Sequence, residues 1–113
     1  MRYIKGVAVV IVVLKQAQRE LRRCPKEFSE DIYSLFEDLS RGKKLEMPIS
    51  RSLASIAPGL NELRLTGVSG ELRVFYVIRV KEAIYVIHAA VKKSQKMQQQ
   101  TIRLLKQRLR GIA

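Results

Sequence analysis

The sequence has few of the residues from which metal and redox sites are built. Its 113 residues include one cysteine, Cys24, and one histidine, His88. A single cysteine excludes an internal disulfide, and a zinc site draws several ligands from these two residue types, so no metal or other cofactor is expected. A glycine loop for phosphate, HExxH and GxSxG are missing as well, which argues against the common nucleotide-binding, zinc-protease and serine-hydrolase classes.

Acidic residues are also scarce. The chain has 10 acids against 22 lysines and arginines, a formal net charge of +12. A small domain with this excess usually meets a polyanion, either nucleic acid or an anionic membrane surface. Six of the ten acids lie between residues 20 and 38, so the anion-binding surface is expected elsewhere. No acid follows residue 90, where seven bases occur: Lys92, Lys93, Lys96, Arg103, Lys106, Arg108 and Arg110.

Long hydrophobic runs are missing too. The run Val7–Leu14 has eight residues, whereas a membrane span needs about 20. Valine and isoleucine dominate this run, which predicts a buried strand in the centre of a sheet or beside a meander. A signal peptide is the alternative, but no small-residue cleavage site follows the run. We therefore expect one domain over residues 1–113, in the cytoplasm and not in a membrane.

The rest of the chain alternates between helical and extended patterns. Apolar residues at helical spacing predict two helices before residue 42 and a third near the C-terminus. Residues 43–60 contain two prolines and are interpreted as an irregular connection. Strands are predicted over 62–66, 71–80 and 84–91. The expected fold class is α+β, an antiparallel sheet of about four strands with two N-terminal helices and a C-terminal helix packed on one face of it.

The turn Gly67–Gly70 sets the pairing of the first two strands of the meander. This pairing places Arg64 opposite Arg73, and both point away from the neighbouring leucines. Like charges that face each other in a ladder are destabilising without a shared anion, whereas an arginine pair binds a phosphate well. The pair therefore predicts contact with an RNA or DNA backbone. The alternative is that Glu62 and Glu71 neutralise the arginines on a solvated face.

More basic residues follow the last strand. Lys92, Lys93 and Lys96 form a group of one sign at its end, and beside the arginines they predict a continuous positive surface. The alternative is a solvated basic tail. His88 and Tyr76 lie on alternating strands, where a packed position is the simpler interpretation of each. From pattern alone the chain is a small basic α+β domain that binds a phosphate backbone.

Four sequence blocks between Gly59 and Ala113 carry a family resemblance. They are GLNELRL, RVFYVI, AIYVIHAAVKKSQK and a helix ending in LLKQRL. Together they resemble the HigB-like toxins of the RelE/ParE toxin–antitoxin superfamily, in the phage-derived subgroup. The resemblance implies a RelE/ParE-like fold and a metal-independent endoribonuclease that cleaves mRNA, usually on the ribosome. It also implies a helix-turn-helix (HigA-like) antitoxin that silences the toxin and through which oligomers form.

The candidate site combines these patterns with the resemblance. The catalytic candidates are Arg64, Arg73, Lys92, Lys93, His88 and Tyr76, and the RNA-binding candidates are Lys96, Gln95 and Arg103. In this scheme the arginines hold the phosphate, a lysine with a lowered pKa acts as the base, and a histidine or tyrosine supplies or relays a proton. Two positions depart from the family pattern: Ala90 stands where an aromatic residue is common, and Met97-Gln98 stands where Thr-Pro is common.

Two other functions stay open at this point. A ParE-like toxin has the same fold but inhibits DNA gyrase by binding it, without catalysis. The lysine group and the arginine pair favour the nuclease over this alternative. A plain nucleic-acid-binding domain would bind with a steep salt dependence and cut nothing.

Overall fold

The structure, a computed structural model, describes residues 9–79, 83–92 and 97–112. Its strands are β1 (Val10–Val13), β2 (Ser50–Ser52), β3 (Leu60–Gly67), β4 (Gly70–Ile78) and β5 (Ala83–Lys92). Its helices are α1 (Lys15–Arg23), α2 (Ser29–Ser40), which follows a 3-10 turn over Lys26–Phe28, and α3 (Gln99–Arg110). None of the described helices is long and apolar enough to cross a bilayer.

The strands form one mixed sheet in the order β1-β5-β4-β3-β2. The meander β3–β4–β5 is antiparallel, and Gly67 pairs with Gly70 around the turn as the sequence predicts. The α+β class is thus confirmed, with five strands in place of about four. The added strand is β2, which lies inside the supposed irregular connection and pairs with β3. Its three residues, Ser-Arg-Ser, are too short and too polar to give a strand pattern.

The first strand lies beside the meander, one of its two expected places, and not in the centre of the sheet. Strand β1 is at the sheet edge and pairs in parallel with β5 alone. The side chain of Val10 is 60% exposed there, while Ile11 and Val13 pack against the core beneath α1 and α2. The apolar run therefore reflects packing against helices more than a central position. The part of the run before Val9 lies outside the described residues.

Alternating residues of β4 divide the core into two layers. Val74 and Tyr76 pack with helices α1 and α2 on one face of the sheet. Phe75 and Val77 pack with Leu105 of α3 on the other face. The expectation that all helices cover one face is therefore wrong, because the apolar stripe of α3 shows that it must be buried but not against which side.

A single carboxylate joins the 3-10 turn between α1 and α2 to the turn between β3 and β4. Glu27, in the 3-10 turn, accepts hydrogen bonds from the backbone N–H of Val68 at 3.0 Å and of Ser69 at 2.9 Å, and from the Ser69 hydroxyl. These bonds lower the pKa of Glu27. The contact requires a residue without a side chain at Gly67, where a Cβ would lie 2.9 Å from Cε1 of Phe28 and 2.8 Å from Cδ of Glu27.

Replacement of Gly67 by alanine is expected to lower the free energy of unfolding by about 1–3 kcal/mol, since the added methyl overpacks a buried ring. Gly111→Ala is the matched control, because its Cβ would lie no closer than 3.4 Å to another atom, and its φ of −73° suits alanine. That variant should stay within about 0.5 kcal/mol of the parent. Urea unfolding measures both values, and equal effects would contradict the packing argument.

Candidate functional site

The arginine pair lies as the turn predicts. Arg64 on β3 is the register partner of Arg73 on β4. The leucines beside them, Leu63 and Leu72, are fully buried in the layer beneath α1 and α2. Because successive side chains of a strand point to opposite faces, the arginines lie on the other side of the sheet.

Two glutamates hold these arginines. Glu71 Oε1 lies 3.3 Å from Nη2 of Arg64, 2.9 Å from Nη2 of Arg73 and 3.0 Å from Nε of Arg73. Glu62 Oε2 lies 3.6 Å from Nη1 of Arg73, and its Oε1 lies 3.8 Å from Nε of Arg64. Arg51 of β2 donates to the same Oε1 at 3.0 Å. We call these five residues the arginine–glutamate cluster.

The pairing of these glutamates with the arginines has a sequence signal. The tripeptide Glu-Leu-Arg occurs once in each of the two strands, at 62–64 on β3 and at 71–73 on β4. Residues two apart in a strand share a face, so each repeat places a carboxylate next to its own arginine. Arg51 had no such signal, because it belongs to β2, where it lies opposite Glu62.

The cluster has a buried interior and an outer part that reaches solvent. The side chains of Arg73 and Glu62 are 0% exposed, whereas those of Arg64 and Glu71 are 17% and 18% exposed. Arg51 is 37% exposed. The alternative of neutralisation by the two glutamates is thus what the structure shows, but the neutralised face is partly buried, not solvated.

Lys92 joins the cluster from β5. It is the register partner of Glu71, and its Nζ donates a hydrogen bond to Oγ1 of Thr101 at 2.9 Å. Burial and the charge of Arg73 lower the pKa of Lys92, and the charge of Glu62 opposes this. With Lys92, the described residues of this group comprise four cations and two carboxylates, a local excess of two positive charges.

His88 lies farther along β5, beyond the point where β1 stops pairing with it. Its ring stacks on Phe75 with 5.5 Å between ring centroids, and its Nδ1 lies 2.9 Å from Oε1 of Glu20. Glu20 also accepts the N–H of Ala89 at 3.2 Å, so it occupies the strand edge where a further strand residue would pair.

Arg108 of α3 completes this second polar group. It donates to both carboxylate oxygens of Glu20, at 2.8 and 2.9 Å, and to the carbonyl of Ile87 at 2.8 Å. Burial lowers the pKa of His88 against the opposing effect of Glu20. Burial alone would raise the pKa of Glu20, but the bonds from Arg108 and His88 lower it overall. The group joins α1, β5 and α3, which the sequence did not suggest.

The remaining site candidates fall in three different places. Tyr76 is buried on the α1/α2 face, with its hydroxyl 2.8 Å from the Ser50 hydroxyl, so the structure does not bring it to the arginines. Burial raises its pKa. Arg103 is exposed on α3, the helix that also supplies Thr101. Three candidates lie outside the described residues: Lys93, Gln95 and Lys96.

Other reactive groups do not form a competing site in the described ranges. These residues contain no group of three or more His, Cys, Asp or Glu side chains that could hold a metal ion. The Cys24 thiol donates to the carbonyl of Glu20 at 3.2 Å, and burial raises its pKa, so it lacks the features of a nucleophile. The arginine–glutamate cluster with Lys92 is therefore the candidate functional site.

Comparison with known proteins identifies the family. A family model described as phage derived protein Gp49-like matches residues 19–110, which include α2, α3 and the whole meander. The chain belongs to this family. No curated protein matches the sequence.

Two solved structures resemble this Gp49-like protein. One is the crystal structure of the toxin–antitoxin complex RelBE2 from Mycobacterium tuberculosis, with 18% identity and a TM-score of 0.56 over 79% of this chain and 97% of that chain. The other is a mutant of the E. coli toxin RelE in the free state, with 14% identity and a TM-score of 0.59 over 94% of this chain and 99% of that chain. The Gp49-like chain thus has the RelE fold, which confirms the resemblance drawn from its sequence blocks.

Replacement of Arg73 by alanine in this Gp49-like protein is expected to lower the free energy of unfolding by about 3 kcal/mol, because it removes the guanidinium beside a fully buried Glu62 carboxylate. Arg64→Ala should cost about 1 kcal/mol, since its partner Glu71 reaches solvent. Urea unfolding at pH 7 measures the free energy of unfolding of each variant. Equal losses would show that the burial of Glu62 does not set the cost.

Replacement of His88 by glutamine is expected to flatten the pH dependence of stability between pH 7 and pH 5.5. The pKa of His88 is lowered from 6.5 in the folded chain, so the unfolded chain takes up a proton that the folded chain does not, and acidification favours unfolding. This slope cannot exceed about 1.4 kcal/mol per pH unit for one group.

The groups that face His88 are Glu20, Arg108 and Lys92. The charges of Arg108 and Lys92 add to burial in lowering the pKa of His88, and the pKa of Glu20 is itself lowered, away from this pH range. Since the chain has no other histidine, urea unfolding at pH 7.0, 6.3 and 5.5 should give a sloping series for the wild type and a nearly level one for the variant. Parallel series would exclude His88 as the cause.

Proposed function

We propose that this protein is the toxin of a type II toxin–antitoxin system, a metal-independent endoribonuclease that cleaves mRNA on the ribosome in the cytoplasm. The Gp49-like family match and the RelE fold support the toxin assignment. The described part of the chain has no membrane-crossing helix, which agrees with a cytoplasmic target.

The observation that carries the nuclease proposal is the arrangement of cations around one point of the sheet. Arg64 and Arg73 lie opposite each other, and Lys92 lies opposite the carboxylate that both arginines bind. RNA cleavage without a metal needs a base for the 2′-hydroxyl, positive charge for the phosphorane and an acid for the 5′-oxygen. Fixed guanidinium groups and one lysine with a lowered pKa supply the first two requirements.

We assign a role to each residue of this set from its exposure. Arg64 reaches solvent and binds the scissile phosphate, while buried Arg73 stands behind it and stabilises the developing charge. Lys92 acts as the base or as a further charge stabiliser. The RNA strand is held by residues that follow β5, for which we propose Lys93, Gln95, Lys96 and Arg103.

Two of the catalytic candidates receive no chemical role in this proposal. Tyr76 lies on the opposite face of the sheet and its hydroxyl is already bonded to Ser50. His88 is held by Glu20 beside Arg108, and this group joins two helices to the strand edge. We propose that both residues act on the fold.

The proposed partner is a helix-turn-helix (HigA-like) antitoxin that contributes an acidic segment. A domain of net charge +12 attracts RNA without selectivity, so a silencing partner gains from covering that charge. The structure with the RelE fold from M. tuberculosis is that of a toxin–antitoxin complex, which supports a partner of this kind.

A gyrase-inhibiting toxin is the second candidate function. The observation that favours it is the pairing of both arginines with glutamates, which suits a binding surface as well as a catalytic one. We favour the nuclease because Lys92 adds a cation whose pKa is lowered by burial at the same place.

Variants of Lys92 distinguish the nuclease from the gyrase-inhibiting toxin. Single-turnover cleavage of mRNA on programmed ribosomes should be at least about 100-fold slower for Lys92→Ala than for the wild type, even at saturating protein, if Lys92 acts in the chemical step. Lys92→Arg keeps the charge but never deprotonates, so it should recover the rate only if Lys92 is a charge stabiliser. Lys44→Ala, which removes an exposed lysine from the connection after α2, is the matched control and should keep the wild-type rate.

Two results would contradict the assignment. A Lys92→Ala variant that regains the full rate at high concentration would make Lys92 a docking residue only. Gyrase inhibition by the wild type, with no message cleaved, would replace the nuclease by the second function.

A further inference from the structure

The arginine pair brings two like charges together in the free protein, where no RNA compensates them. Arg64 and Arg73 face each other across the β3–β4 ladder. Two like charges in that position repel unless an anion lies between them. In the free protein the anion comes from the chain itself, because Glu71 contacts both guanidinium groups.

The Glu71 carboxylate occupies this place as a phosphate oxygen would. Its Oε1 atom has three guanidinium nitrogens around it, at 2.9, 3.0 and 3.3 Å. These nitrogens belong to two arginines that converge from neighbouring strands. Arginine forks bind carboxylate and phosphate oxygens with the same geometry, so one site serves either ligand and cannot hold both.

The exposure of the partners favours this competition. The Arg73 side chain is 0% exposed, and its partner Glu71 is 18% exposed. A phosphate oxygen that bound both arginines at this point would compete with Glu71 Oε1 for the same guanidinium nitrogens. Glu62 stays buried against the same arginine and keeps it partly compensated while the ligand changes.

We propose that Glu71 is a specificity-determining residue, whose carboxylate fills the phosphate site of the free protein and must be displaced when RNA binds; this rests on the proposed nuclease function. The consequence is a threshold for binding. An RNA phosphate that meets the site alone must compete with an intramolecular carboxylate, whereas an RNA held at further contacts displaces it. Glu71 thereby disfavours stray RNA that the net charge of +12 would otherwise attract.

The test compares two variants that change net charge equally. Glu71→Gln removes the competing charge but keeps the shape of the side chain and one acceptor oxygen. Glu30→Gln removes the charge of an exposed residue in the first turn of α2, on the helical face away from the cluster. The probe is a short 2′-O-methyl RNA, which cannot be cleaved because it has no free 2′-hydroxyl, and its affinity is measured by fluorescence anisotropy.

Glu71→Gln should bind this RNA about 10-fold more tightly than the wild type, since displacement no longer breaks charge-assisted hydrogen bonds. Glu30→Gln should stay within about 2-fold, because a distant charge is screened. An equal gain in both variants would reduce the effect to net charge and overturn the proposal. A loss of affinity in Glu71→Gln would also overturn it, and would make Glu71 a residue that positions the arginines.

A measurement on the wild type covers the case in which Glu71→Gln does not fold. The side-chain Nε–H signal of Arg73 in NMR spectra should shift when the 2′-O-methyl RNA saturates the protein, because its acceptor changes from carboxylate to phosphate. An unchanged signal at saturation, or no RNA binding at all, would overturn the proposal. Neither measurement involves cleavage, so a protein that binds RNA in this way but cuts no message would overturn the nuclease function and leave the role of Glu71 in place.

Discussion

The structure depends on how the β3–β4 hairpin compensates two arginines that face each other in its ladder. Each strand brings a glutamate two residues before its arginine, so the carboxylates and guanidinium groups alternate around one point. A fully buried pair such as Arg73 and Glu62 is costly to desolvate, so stability alone does not explain its position at the centre of the meander.

Glutamates also bond to basic groups and to backbone N–H groups at the margins of the sheet. Glu20 bonds His88, Arg108 and the edge of β5, and Glu27 bonds the turn between β3 and β4. Both belong to the acid-rich segment between residues 20 and 38. In a chain with so few acids, at least four of them therefore have defined structural partners, which leaves the positive charge outside these contacts to act on a ligand.

Local rules explain what the sequence predicted correctly. A short glycine-bounded turn fixes the register, so the opposition of Arg64 and Arg73 follows from spacing alone. Contacts between elements that lie far apart in the sequence could not be predicted from local spacing. Strand β2 is too short for a pattern, and the face on which α3 packs depends on the path of the chain. The composition of the site depends on strands that lie far apart in sequence, because β2 places Arg51 opposite Glu62 and β5 places Lys92 opposite Glu71.

The balance of charge at the site separates two tasks that the proposed nuclease would perform. Among the described residues, four cations, the arginine pair included, and two carboxylates leave a small local excess, so this place gives little of the long-range attraction that a net charge of +12 provides. In the proposed function, attraction and strand binding then fall to bases that follow β5 in the sequence, of which Arg103 is exposed on α3. The compensated arginines, held rigidly by their glutamates, are suited instead to the step in which charge develops on the phosphate, where preorganised groups act most strongly.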